Sequence, residues 1–105
     1  MPREEITAEA LRQWGESAQL DMVIEEMAEL TKAILKYRRA HEPGKDARLV
    51  DVAEEHADVR IMLDQLSYIM NQHDKEYSKY LVQFTEEKVT RLVNRLERGK
   101  NKKEG

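Results

Sequence analysis

Five acidic residues fall at spacings that let carboxylates converge. Glu25, Glu26 and Glu29 read E-E-x-x-E, and Glu55 and Asp58 read E-x-x-D. On a helix, residues three or four apart share one surface, so each set presents its acids together. Glu55 also lies within an apolar stripe, because Val52, Val59, Leu63, Leu66 and Met70 recur at helical spacing around it. An ionised carboxylate on such a stripe is costly unless it is paired or binds a metal. Hard oxygen donors of this kind suit magnesium, which keeps waters and commonly bridges protein carboxylates to substrate phosphates. Without a cation the acids repel one another, which disfavours bringing their helices together unless their pKa values rise.

A plainer alternative stands beside the cation site. Glu25, Glu26 and Glu29 lie opposite the Leu20–Ile34 stripe, where acids usually form a solvated face. Met22 and Ala33 flank Glu26 and Glu29, so that side is not uniformly polar. The Glu-x-x-His pairs of di-iron bundles are absent, since Arg38, Ala53 and Met70 stand three residues before His41, His56 and His73. His56 is expected to be a packed or hydrogen-bonded histidine. A basic line adds a second constellation: Lys88, Arg91 and Arg95 continue the Tyr77, Tyr80, Leu81, Phe84 stripe. Cations there could meet anionic ligand groups, or could simply complement a helix C-terminus.

The elements that must position these groups are all helical. Thr7 can cap a short helix over 8–14, ended by Gly15, and Ser17 a long one reaching about 39. Its stripe is Leu20, Val23, Ile24, Met27, Leu30, Ile34 and Leu35. Residues 41–46 form the one clear loop, with Pro43-Gly44 as turn and Asp46 as N-cap of a third helix over 47–72. Asp74 can cap a fourth helix ending at Gly99. No strand pattern or internal repeat is present. The expected architecture is an all-α antiparallel bundle, one domain over 1–99, with 100–105 a charged tail expected to be disordered.

Composition narrows the partners. In 105 residues, charged types make up 37% and aromatics only 6%, so the core must come from Leu, Ile, Val, Met and Ala. So small and polar a chain buries a modest core, which favours oligomerisation. A net charge of −3 favours neither nucleic acid nor an acidic membrane as partner. Zero Cys excludes disulfides and thiolate chemistry and suits the cytoplasm. No apolar run approaches a membrane span, and the first residues, Met1 to Glu5, lack the apolar segment of a signal peptide.

The paired motif, Glu25-Glu26-x-x-Glu29 followed by Glu55-x-x-Asp58 on the next helix, resembles the MazG-like all-α nucleoside triphosphate pyrophosphohydrolases. Trp14-Gly15, Gln19-Leu20 and the run from Ile24 to Leu30 look like that family's first long helix, and Val52 to Val59 like its second acidic helix. The likeness covers about 14–95. It implies a MazG-like bundle completed as a homodimer or homotetramer, and Mg2+-dependent cleavage of a ribo- or deoxyribonucleoside triphosphate between its α and β phosphates, with Mn2+ as a substitute metal. Carried over by position, Glu26, Glu29, Glu55 and Asp58 would be metal ligands, and Glu25 would orient or deprotonate the attacking water. Lys88, Arg91 and Arg95 would neutralise phosphates, and Trp14 and Gln19 would contact the base. Trp14 serves equally well as a core anchor for the first helix. Two rivals remain: a non-catalytic helical interaction module using the acids as a partner surface, and a pyrophosphatase of the same fold acting on another substrate, such as phosphoribosyl-ATP.

Overall fold

The computed structural model describes residues 1–104, with side-chain surroundings through residue 102. Four helices follow one another: α1 (Arg3–Trp14), α2 (Glu16–Arg39), α3 (Lys45–His73) and α4 (Tyr77–Glu104). No strand occurs among the described residues, and no helix is long and apolar enough to cross a membrane. The heart of the fold is the packing of α2 against α3, with α1 lying against both. The sharp join between α1 and α2 falls on Gly15 at φ 86° and ψ 161°, a conformation open essentially to glycine alone.

Several helix ends differ from those expected. Thr7 does not cap α1. It lies inside a helix that starts four residues earlier, and its hydroxyl donates to the Arg3 carbonyl at 3.1 Å. Ser17 and Asp46 likewise lie within α2 and α3, whose preceding residues Gly15 and Gly44 make no side-chain cap. Asp74 does cap the turn that leads into α4: its backbone is extended and its Oδ1 accepts the Glu76 N–H at 2.9 Å. Gly99 does not end α4, which continues to Glu104 because nothing packs near it to favour a stop. The tail expected to be disordered is therefore helical over 100–104, while Gly105 lies outside the described residues.

The core is small and turned from its expected position. The buried residues are Thr7 and Ala10 on α1, Gln19, Val23 and Ala33 on α2, and Val59, Met62, Gln65 and Ile69 on α3. Ile69 is the most deeply buried at 1% exposure. Of the predicted α2 stripe, Val23 is buried, whereas Ile24, Met27, Ile34 and Leu35 lie open to solvent. Those four sit roughly a third of a turn around α2 from the Gln19–Val23–Glu26–Ala33 side that meets α3. On α3 the inward line is Val59, Met62 and Ile69 rather than Leu63, Leu66 and Met70.

Two cross-links at helix ends help hold this arrangement. The His73 imidazole pairs with the Glu16 carboxylate, tying the end of α3 to the start of α2. Arg3 meets Asp64 at 3.8 Å, drawing α1 toward α3. Both pairs are exposed, so each contributes little. Asn71 Oδ1 accepts from the Ser78 N–H and hydroxyl at 3.2 and 3.0 Å, setting the α3–α4 turn. α4 touches α3 only, and its residues from Ser78 to Lys102 are exposed.

The joints make a paired prediction. Gly15→Ala should cost about 1–3 kcal/mol because it forces a side chain into that backbone region. Gly99→Ala, in regular helix with open space around it, should be neutral or stabilise by about 0.5–1 kcal/mol. Urea unfolding of the two variants checks both, and a Gly15→Ala protein as stable as the wild type would contradict the strained joint.

Candidate metal centre

The inward side of α2 carries Glu26 in register with Val23 and Ala33, so packing the helices pushes its carboxylate toward α3. From α3, Glu55 and Asp58 sit beside the inward-facing Val59 and Met62 and meet it there. Carboxylate oxygens of Glu26, Glu55 and Asp58 all lie within 4.8 Å of one another. Glu26 and Glu55 are half-buried. No hydrogen bond or ion pair from another residue satisfies any of the three among the described residues. Three acceptor-only groups converge without a donor, which is the chemistry of a hard-cation site.

The electrostatics carry the same mark. Burial raises the Glu26 carboxyl above the ordinary carboxylate range, and the negative charges of Asp58, Glu55, Glu29 and Glu25 raise it further. Glu55 is also raised, first by burial and then by Asp58, Glu29, Glu54 and Asp51. Neither has a cationic neighbour strong enough to reverse the effect. A bound divalent cation would do so by replacing repulsion with attraction.

The other sequence candidates fall around this centre at different distances. Glu29 is exposed and pairs with Lys32 at 3.6 Å, outside the close trio, yet it lines a recess of about 130 Å3 with Glu55, Asp51, Lys32 and Lys36. Glu25 is exposed and lies on the other side of the trio, in a recess of about 500 Å3 shared with Trp14, Gln19 and Met22. Met22 also borders the smaller recess that holds Glu26 and Asp58, so the two hollows adjoin. Trp14 is 59% exposed and therefore no core anchor, whereas Gln19 is buried at 5%. Lys88, Arg91 and Arg95 are not brought to the acids within one chain, because α4 makes no contact with α2. They are exposed and have no ion-pair partner among the described residues. His56 is exposed rather than packed.

Lys32 and Lys36, which the motif does not include, line the recess beside Glu29 and Glu55. They stand three and seven positions after Glu29, and helical spacing alone places both on the acid-bearing side.

The raised carboxyls fix the sign of a pH effect. Folding favours their protonated forms, so the stability they contribute is present below the ordinary carboxylate pKa. It is lost as pH rises through their elevated folded values. A divalent cation competes with those protons. Adding Mg2+ should therefore raise the melting temperature clearly at pH 7.5 and much less at pH 4.5, read by circular dichroism. An equal shift at both values would contradict the site.

No protein-family model matches the chain, and neither a curated protein nor a solved structure matches it. Its functional meaning therefore rests on the motif and on the geometry of Glu26, Glu55 and Asp58.

Proposed function

We propose that the chain is a Mg2+-dependent nucleoside triphosphate pyrophosphohydrolase of the MazG-like kind, releasing a nucleoside monophosphate and pyrophosphate. The observation that carries this reading is the convergence of Glu26 with Glu55 and Asp58 across the α2–α3 seam. Phosphoryl chemistry asks little covalent work of a protein and much charge compensation. A cation held by Glu26, Glu55 and Asp58, with Glu29 at the margin, would offset phosphate charge and make an anionic substrate acceptable to an acidic seam.

The chain's own groups supply the rest. Glu25, exposed and lining the adjoining recess, would orient or deprotonate water. The adjoining recess offers an exposed indole, Trp14, for stacking on a planar base, and an amide, Gln19, for hydrogen bonds to it. Its volume of about 500 Å3 lies within the range of small-molecule pockets. Lys32 and Lys36 border the trio on its other side, so within one chain they take the phosphate-neutralising role that the motif would give to Lys88, Arg91 and Arg95. A cytoplasmic, homo-oligomeric enzyme is part of the same reading. Mn2+, another hard divalent ion, would substitute for Mg2+.

The test is release of pyrophosphate from a panel of ribo- and deoxyribonucleoside triphosphates and phosphoribosyl-ATP, with Mg2+ or with EDTA. Metal-dependent release of monophosphate plus pyrophosphate is expected, and Glu26→Gln or Asp58→Asn should lower it by about a hundredfold or more with helical content kept. Full activity in either variant would sink the ligand assignment. Absence of release from every substrate by the folded protein would favour the interaction module.

A further inference from the structure

The last helix, α4, carries a constellation that the acidic centre does not use. At helical spacing, Lys88, Arg91, Arg95, Arg98 and Lys102 fall within an arc of about 80°. They stand three or four positions apart, so one cation follows another at about 5 Å along a line of about 21 Å. Tyr77, Tyr80 and Phe84 lie in the same arc and extend the line toward the start of the helix. Glu86 and Glu97 fall on the opposite side. Glu87, at the edge of the line, accepts from the Gln83 amide at 3.2 Å instead of meeting a cation.

All five cations are exposed, and none has an ion-pair partner among the described residues. Tyr80 and Phe84 are 47% and 51% exposed. Five unpaired cations in a row repel one another, and a polyanion lying along them relieves that repulsion. The charge of the chain is divided to match. Residues 77–105 hold 8 Lys and Arg against 4 Asp and Glu, a net +4, while residues 1–76 hold 10 against 17, a net −7. The mild total of −3 conceals this division, and the acidic body confines a polyanion to α4. A single triphosphate is too short to engage the whole line. An anionic bilayer would take up the neighbouring apolar band, Leu81, Val89, Leu92, Val93 and Leu96, but Glu86 and Glu97 border that band on its far side and would be repelled by the headgroups. Exposed aromatic rings beside a row of cations are the two parts of a single-strand surface: cations track the phosphates, and rings stack on unpaired bases. One row of cations follows one backbone.

We propose that α4 binds single-stranded nucleic acid, with Lys88, Arg91, Arg95, Arg98 and Lys102 along its phosphates and Tyr80 and Phe84 stacked on its bases. Phosphate charge and base faces are common to every sequence, so the contact is tolerant of sequence. RNA and DNA share this chemistry, and the experiment separates them. The inference stands apart from the pyrophosphohydrolase reading and survives if the chain has no enzymatic activity.

Fluorescence anisotropy of labelled RNA and DNA strands of about 20 nucleotides, longer than the usual single-strand site, tests it. EDTA is present throughout, so that no metal bridges phosphates to the acidic centre. Saturable binding to one or both strands is expected, with log K falling against log salt at a slope of about −3.5 for five cations. The triple variant Arg91→Gln, Arg95→Gln, Arg98→Gln keeps good helix formers, so its circular dichroism should not change. It should bind about tenfold more weakly or worse, with the slope reduced by about 2. Phe84→Ala should weaken binding about fivefold or more at the wild-type slope, because it removes stacking and no charge. Lys79→Gln, on the opposite side of α4, should change neither. Absence of saturable binding to both strands would overturn the proposal, as would a triple variant that binds like the wild type or a duplex bound as tightly as its separated strands. A chain that sediments with phosphatidylserine vesicles but ignores both strands has a lipid surface as its partner, which also overturns it.

Discussion

Everything distinctive in this molecule follows from where α2 meets α3. The seam must bury apolar surface, yet the sequence places Glu26, Glu55 and Asp58 on it, with Glu25 and Glu29 just outside. Carboxylates whose oxygens lie within 4.8 Å of one another oppose the very contact that organises the fold. Burial first, and the repulsion second, raises two of the carboxyls, Glu26 and Glu55. A folded chain can tolerate it by holding protons or by holding a cation. Near neutral pH only the second keeps the seam both closed and charged, which is why the carboxylate trio governs the functional reading.

The acidic centre is legible in the sequence because helical spacing is rigid. Acids at i, i+3 and i+4 share a face wherever the helix goes, so E-E-x-x-E and E-x-x-D define two acidic surfaces. Which members meet is not encoded in that spacing. It depends on the rotation of α2 about its own axis, which brings Glu26 to Glu55 and Asp58 and leaves Glu29 outside the close trio. Helix type and order are equally legible, since Pro43-Gly44 and Gly15 interrupt the periodicity. The caps are legible only in part: Thr7, Ser17 and Asp46 are permissive signals that helix propensity overruns, whereas Asp74, between two helices, accepts the hydrogen bond of a cap.

The apolar stripes mislead for an instructive reason. Leu20, Ile24, Met27, Ile34 and Leu35 form the best hydrophobic line on α2, but the α3 contact uses the neighbouring line of Gln19, Val23, Glu26 and Ala33. A stripe marks a surface that should leave water. It does not say whether the covering surface belongs to the same chain. The same holds for α4, whose cations and apolar band have the pattern of a bundle helix yet stand clear of α2. Polar groups therefore line the α2–α3 seam while large apolar groups of α2 stay open to solvent behind it.

The central claim is that the α2–α3 seam holds a divalent cation through Glu26, Glu55 and Asp58. Isothermal titration calorimetry with Mn2+ at neutral pH tests it most directly, comparing the wild type with Glu55→Gln. The account predicts saturable binding in the wild type and loss of that binding in the variant. Titrations that match in the two proteins, or no saturable heat in the wild type, would contradict it.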